Sequence, residues 1–364
     1  LSAGDAPVSV VLVTWNSLKW LPGCFGSLES QTCGATEIVV VDNGSTDGGV
    51  EWIREHCPRA RIIENAENRG FCVANNQGIA ASTREHVLLL NTDVELAPDF
   101  VAILLEELDE DPKLGIVSGK LLRGPAPTDG SARIIDSAGE VFYKTLRMVN
   151  RGEEEIDRGQ FDEREEVFGV TAAAAIYRRK MLEEIRLGDD YLDSDYFAYL
   201  EDSDLNWRAR LRGWRCVYQP RAVADHIRQH ATCRSAFIQR HAHANRYLSI
   251  LKNESLWNLV VLAPHLLVYE AHRTLKTLFL RPSLLPAYGK VLRLLGRTLR
   301  KRRRIQRTRK VSSREAREWM IGERYGREIL HRFFRRSCPP RPEDSVNARA
   351  ALASEETRRD RVCS

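Results

Sequence analysis

No Cys-x-x-Cys pair and no His/Cys cluster at zinc-ligand spacing occurs in the 364 residues; the eight cysteines stand singly. A structural zinc site is therefore not expected, and free thiols in a reducing cytosol are the economical reading. No internal repeat is visible. The opening Leu-Ser-Ala-Gly-Asp lacks a charged-then-apolar leader, so secretion is not expected and the sequons at Asn43 and Asn253 carry little weight. The longest apolar stretch, Leu256 to Leu280, is broken by Pro264, His265 and Glu270. It falls short of the roughly 20 apolar residues that a spanning helix needs, and is expected to lie on a surface or pack in a bundle.

What is present is a core-forming composition, 43% hydrophobic, with charge unevenly placed. The net charge is +5, yet an acidic segment runs from Glu153 to Glu166 and a dense basic run from Arg297 to Lys310. Val87-Leu88-Leu89-Leu90 is an apolar run bounded by polar residues, which reads as a strand buried on both faces. The β-branched run Val8–Val13, the run Glu37–Asp42 and the short Arg61–Glu64 read as further strands. Helical spacing follows them at Ser17–Ser30, Val50–His56, Asn75–Ser82 and Pro98–Asp109. Strands alternating with helices at this interval predict an α/β, Rossmann-like, mostly parallel central sheet flanked by helices.

After Gly119 the pattern changes. Gly124 to Gln160 is rich in Gly, Pro and charge, and predicts irregular structure with a hairpin. Val167–Tyr177 reads as a strand of small side chains, Arg179–Ile185 and Asp202–Arg212 as helices, the latter closed by Gly213. Trp214–Tyr218 and Ala222–Asp225 read as short strands leading into His226, and the chain beyond Thr232 as helical.

Ligands in open α/β sheets collect beyond the carboxyl ends of the strands. Asp42 stands at one such end, Asn91, Thr92 and Asp93 at another, and Glu201-Asp202-Ser203-Asp204 and His226 complete a set of acidic and imidazole groups. Each has an ordinary role open to it: a turn cap for Asp42, an acidic helix start for Glu201-Asp202, a core histidine for His226. Their joint presence on a nucleotide-binding type of sheet favours chemistry.

The segments Val8–Asn16, Ile38–Asp47, Glu67–Phe71 with Asn75-Asn76, Leu88–Asp93 and Tyr199–Leu205 with Arg208 occur in the order found in family 2 glycosyltransferases. The resemblance spans about Val8 to His230. Phe168–Ala174 followed by Glu201-Asp202 resembles the rhamnosyltransferase-like branch. It implies a GT-A fold over residues 1–231, with a nucleotide-binding half to about residue 120 and an acceptor-side half beyond it. A helical, basic extension would cover 232–337, and 338–364 would be a disordered tail.

The same resemblance implies an inverting transfer from a nucleotide sugar with a divalent cation, Mn²⁺ or Mg²⁺. Asp93 and His226 would hold the cation, and a His beside oxygen ligands suits Mn²⁺ better. The family's Asp-x-Asp reads Asn91-Thr92-Asp93 here, so the first carboxylate is an amide. Asp202 would be the base, with Glu201 in reserve. Asp42, Asn43, Thr14, Trp15 and Asn16 would receive the nucleoside, and Arg69 and Gly70 would belong to a loop near the nucleoside and phosphates, anchored by the side chains of Asn75 and Asn76.

The expected reaction moves L-rhamnose from dTDP-rhamnose to a glycan or polyprenyl-linked saccharide in bacterial envelope polysaccharide synthesis. UDP-galactofuranose and a UDP-hexosamine are the alternative donors. A sugar nucleotidyltransferase would carry a Gly-rich phosphate loop after its first strand, and Thr14-Trp15-Asn16-Ser17 is not one. A catalytically silent glycan-binding module is the reading from a different class. Basic residues following apolar, Trp- and Tyr-containing helices suit an anionic membrane surface rather than nucleic acid. The expected location is the cytoplasm, peripheral at the inner face of the cell membrane; the oligomeric state is not legible.

Overall fold

A computed structural model describes residues 6–33, 35–128, 130–228 and 236–322. The expected disordered tail from 338, and the end of the helical extension, lie outside the described residues. The first third alternates as the sequence predicts: β1 (Ala6–Thr14), α1 (Leu21–Glu29), β2 (Ala35–Asp42), α2 (Gly49–His56), β3 (Arg61–Glu64), α3 (Phe71–Ala81) and β4 (His86–Asn91). There follow β5 (Val94–Leu96), α4 (Phe100–Glu110), β6 (Leu114–Arg123), β7 (Ile135–Ser137), β8 (Glu140–Tyr143), β9 (Met148–Asn150) and β10 (Glu165–Glu166). Next are β11 (Ala174–Arg178), α5 (Arg179–Ile185), α6 (Glu201–Leu211) and β12 (Arg215–His226). The last described part holds α7 (Ala236–Asn253), α8 (Leu256–Val261), α9 (Ala263–Leu280), α10 (Pro286–Thr308), α11 (Ser313–Glu318) and β13 (Met320–Ile321).

The main sheet runs β10-β12-β6-β11-β4-β1-β2-β3. Its β3-β2-β1-β4 half is parallel, and β11 inserts antiparallel between β4 and β6. Val87–Leu90 are buried because β1 and β11 cover both edges and packed side chains cover both faces. Leu88 and Leu90 point to one layer with Leu21, Phe25 and Phe100, whereas Val87 and Leu89 point to the other with Ile79, Met181 and Tyr196. The two-residue period of a strand divides the run between two cores. A mostly parallel sheet flanked by helices, with helices at its C-terminal end, is the GT-A form of the α/β class.

Two sequence expectations change. Val167–Ala173 is not strand; only Ala174–Arg178 is. The backbone of that stretch is held by side chains instead: Arg210 Nε donates to Phe168 O (2.9 Å) and its guanidinium to Val167 O, and Asn206 Nδ2 donates to Val170 O (2.7 Å). Gly169 is required there, since a Cβ would stand 2.4 Å from Asn206 Nδ2. The two short strands before His226 are a single strand, β12, whose register against β6 shifts between Gln219 and Val223, around Pro220. The expected hairpin is β8-β9, antiparallel, and β13 adds to it in parallel.

The C-terminal helices pack on the rest through a third core of Phe142, Phe168, Trp207, Leu211, Leu262 and Ile305. Beside it lies a buried ionic knot. Lys252 of α7 bonds Asp193 and Asp204 (2.9 Å to the latter), Arg208 Nε bonds Asp204 (2.9 Å), and Lys301 of α10 bonds Asp193 and Asp195. Burial would raise the carboxyls of Asp193 and Asp204, but Lys252, with Lys301 or Arg208, outweighs it and holds both below the ordinary range. Lys252→Met should therefore destabilise the protein at neutral pH, by up to about 3–5 kcal/mol, because it leaves Asp193 to pair with Lys301 alone and Asp204 with Arg208 alone. The wild-type margin should be complete above about pH 4 and lost as pH falls through the depressed values. Urea denaturation of both proteins across that range measures it.

Candidate active site

Three clusters gather at the carboxyl ends of the parallel strands. The first lies where β1 and β2 stop. Asp42 accepts from Gly44 N (3.1 Å) and Ser45 N (3.1 Å), so its carboxylate shapes the turn that follows it. Asn16 Oδ1 accepts from Thr46 N (2.8 Å), tying the end of β1 to the same turn. Asn43 joins this turn to the next loop: Nδ2 donates to Gly70 O (3.2 Å) and Oδ1 accepts from Arg69 N (3.2 Å). The result is a polar cavity of about 250 Å³ lined by Asp42, Gly44, Ser45, Thr46, Glu64 and Asn65 among others. At its side Trp15 is 48% exposed, and the Thr14 hydroxyl is buried with no partner among the described residues. Arg69 is exposed, its guanidinium unpaired among the described residues. Asn75 turns into its own helix, donating to Phe71 O (2.9 Å), and Asn76 braces residues 190–192 rather than the Arg69-Gly70 turn.

The second cluster is set by strand register. After β4 the chain turns through Thr92 and Asp93 into β5, which pairs antiparallel with β12 so that Val94 faces His226. Asp93 Oδ1 consequently stands 3.4 Å from His226 Nε2, and Ile227 N donates to Asp93 O (2.9 Å). Behind the imidazole, Nδ1 is 2.8 Å from Asp136 Oδ2, a fully buried carboxylate that also pairs with Arg228. Burial works against the imidazolium, but Asp136 and Asp93 outweigh it and raise the group to about 8.

A cation fits this donor set. Two adjacent ligands at about 2.1–2.2 Å from one ion lie roughly 3 Å apart, close to the Asp93–His226 separation, and a carboxylate behind Nδ1 is the usual way to present Nε2 to a metal. Among the described residues no group of three His, Cys, Asp or Glu is placed to hold an ion alone. Asp93 and His226 would thus be two ligands of such a cation and would not enclose it. The side chain of Asn91 has no partner among the described residues.

The third cluster is the first turn of α6. Asp202 is partly exposed; its Oδ1 accepts from Ser203 N (2.7 Å) and its Oδ2 from Ala172 N (3.3 Å). Burial raises its carboxyl despite these donors. Glu201 is buried, with one carboxyl oxygen unpartnered among the described residues. Burial and Asp202 raise it to about 8. Glu140 of β8, which sequence reasoning missed, lies beneath both: it bonds the Ser203 hydroxyl and Asn206 Nδ2 (2.7 Å), and burial with Asp202 raises it to about 8. Of the three carboxyls Asp202 alone is partly open to solvent, Glu201 and Glu140 being buried beside it. Asp204 points away into the ionic knot.

Short bridges join the clusters. Asn91 N donates to Ala173 O (2.9 Å), and the adjacent Ala172 N reaches Asp202, so the Asp93 turn and the Asp202 carboxylate share one peptide segment. On the other side Cys72 N donates to Phe197 O (3.1 Å). Gly70, at φ +88°, lies so near Phe197 that a Cβ would stand 2.6 Å from its ring. The segment from Phe197 to α6 is strained, with φ of +69°, +74° and +66° at Phe197, Tyr199 and Leu200. Buried Asn245 of α7 holds it, donating to Tyr196 O (3.2 Å), Ala198 O (2.9 Å) and Tyr199 O (2.8 Å); Lys290 of α10 donates to Asn245 Oδ1 (3.0 Å).

A family model described as glycosyl transferase family 2 matches residues 9–186, which carry the first two clusters except His226. The chain is a family 2 glycosyltransferase. Over 277 residues, 68% of this glycosyltransferase and 85% of the relative, it is 27% identical to an N-acetylglucosaminyl-diphospho-decaprenol L-rhamnosyltransferase of Mycobacterium tuberculosis. Over 219 residues, 59% of the chain, it is 23% identical to a poly-beta-1,6-N-acetyl-D-glucosamine synthase of Staphylococcus aureus, 48% of whose length it spans. Among solved structures, S. aureus TarS 1-349 shares the fold at a TM-score of 0.51 and 17% identity, covering 83% of this chain and 82% of that one. The same protein in complex with UDP gives 0.50 at 18% identity, over 83% and 86%.

Two substitutions probe the supports of this site. Asp136→Asn should weaken Mn²⁺ binding about 10–100-fold, read by titration calorimetry without turnover, since it frees the imidazole to rotate. Asn245→Ala should lower kcat at least tenfold with the donor KM nearly unchanged, because it releases the turn before Asp202 and leaves the cavity at Asp42 intact.

Proposed function

We propose that this chain is an inverting, metal-dependent transferase that moves L-rhamnose from dTDP-rhamnose to a polyprenyl-linked saccharide of a bacterial envelope polysaccharide. The observation that carries the proposal is the peptide segment shared by the Asp93–His226 pair and Asp202, which brings a cation-holding end and a basic carboxylate to one sheet rim. The mycobacterial relative, named for rhamnosyl transfer to a diphospho-decaprenol saccharide, supports the choice of sugar and acceptor.

In this reading Asp42, Asn43, Thr14, Trp15 and Asn16 receive the nucleoside, and Arg69 and Gly70 lie along the diphosphate. Asp93 and His226 would hold Mn²⁺ or Mg²⁺, with Asn91 and Thr92 beside it. When bound, such an ion offsets the charge that gathers on a departing diphosphate. Asp202 takes the proton of the acceptor hydroxyl. The acceptor oxygen bonds to the anomeric carbon from the face opposite the diphosphate, and the bond from that carbon to the phosphate oxygen breaks, its electron pair leaving with the nucleoside diphosphate. Direct displacement inverts the centre. A raised carboxyl suits Asp202 to that task near neutrality, while Glu201, buried beside it, is the reserve base.

A UDP-hexosamine donor is the second reading, supported by the staphylococcal relative. A donor panel of dTDP-rhamnose, UDP-galactofuranose and UDP-N-acetylglucosamine, run with an N-acetylglucosaminyl-diphospho-polyprenol and Mn²⁺ or Mg²⁺, separates the two by nucleotide release. The expected result is fastest release from dTDP-rhamnose, and a fall of about 10²–10⁴ in kcat for Asp202→Asn. Faster release from a UDP sugar would replace the donor assignment. No release from any donor, or unchanged turnover in the variant, would leave a silent glycan-binding module.

A further inference from the structure

Helix α9 is inside out for a helix bathed in water. A surface helix ordinarily turns its apolar stripe to the core and its charges to solvent. Here the face against α7 carries Tyr269, Glu270, Arg273 and Thr277: Glu270 bonds Arg246 (2.6 Å) and the Tyr247 hydroxyl (2.7 Å), and Arg273 reaches His243 Nδ1 (3.0 Å). The opposite face carries Leu267, Val268, Leu275, Leu278 and Phe279, between 49% and 77% exposed, which fall on one side of a 3.6-residue helix. Leu256, Trp257 and Val260 of α8 are exposed as well. A run of this extent across two consecutive helices marks an interaction surface rather than scattered apolar residues.

Charge identifies the partner. Between residues 256 and 310 the chain has fourteen Lys and Arg and one acidic residue, Glu270, which is turned inward. On α10, Arg297 and Lys301 pair with Asp195. Arg293, Arg300, Arg303, Arg304 and Arg307 are exposed and make no ion pair among the described residues. A second copy docked through this region would set arginine against arginine. An anionic bilayer matches both halves, with acyl chains taking the apolar stripe and headgroup phosphates the guanidinium groups. No described helix is long and apolar enough to cross a membrane, so the contact is parallel to the surface.

We propose that the outward face of α8–α9, with the unpaired arginines of α10, docks this chain on an anionic lipid surface. The proposal deepens the reading of a lipid-linked acceptor, but its test does not depend on donor or acceptor identity. Full-length protein is sedimented with phosphatidylglycerol–phosphatidylcholine vesicles and with phosphatidylcholine vesicles, and its mass in solution is measured without lipid. Wild type should bind the anionic vesicles at least tenfold more tightly than the neutral ones. The difference should shrink as salt is raised from about 0.1 M to about 0.5 M, as the Debye length shortens. Leu275→Glu/Phe279→Glu should lose at least tenfold in vesicle binding with an unchanged thermal midpoint and unchanged Mn²⁺ affinity. Vesicle binding unaffected by that double variant overturns the proposal. So does a wild-type dimer that the variant dissociates, which would assign the face to a second copy. Failure of every donor in the panel above, with vesicle binding intact, would remove the transferase reading and leave the docking surface standing.

Discussion

Three carbonyls of a strained turn converge on one buried amide, that of Asn245, and the direction of the Asp202 carboxylate follows from that convergence. Left-handed backbone at Phe197, Tyr199 and Leu200 costs about 1–3 kcal/mol per residue. Such a turn persists only where its surroundings fix it from several sides. α7 and α10 supply the fixing from outside the sheet, through Asn245 and Lys290, and Gly70 makes room for Phe197 from the start of α3. The helices that follow the family-matched segment thus belong to the structure of the site as well as to its surroundings.

At the opposite end the governing device is strand register. A one-residue slip of β5 against β12 would carry Asp93 away from the His226 imidazole, whose own face is fixed by the pairing of β12 with β6. The buried Asp136–His226–Asp93 line would then be lost. Between the two ends, peptides 172 and 173 serve both, one donating to Asp202 and the other accepting from Asn91. The stretch around them is free to do so because Arg210 and Asn206, not a neighbouring strand, satisfy the backbone just before it.

Much of this was legible in the sequence where the chemistry is local to a strand end. The run Val87–Leu90 announced a buried strand, and the polar residues after it fell at its carboxyl end because a strand's length is set by the same apolar run. Asp42 and Asp93 are legible this way, and the start of α6 as an acidic helix start whose role comes from the family resemblance. His226 is legible as the residue that the runs Trp214–Tyr218 and Ala222–Asp225 lead into, and its role as a ligand only through the family resemblance. Asp136, Glu140, Asn245 and Lys290 were not found. Each lies outside any motif and acts on residues 45 to 94 positions away. The nearest thing to a signal was a carboxylate, Asp136, set directly after Ile134-Ile135. Val167–Ala173 was misread as strand for a related reason: its composition suits a strand, and the side chains that capture its backbone come from α6.

The central claim is that the Asp93–His226 pair and Asp202 address the same sugar. The most direct measurement is anomalous diffraction from crystals grown with Mn²⁺ and an intact nucleotide sugar. The account predicts a manganese peak within about 2.3 Å of both Asp93 Oδ and His226 Nε2, with the donor's anomeric carbon facing the open side of Asp202. A manganese ion bound elsewhere, or a sugar directed away from Asp202, would contradict it.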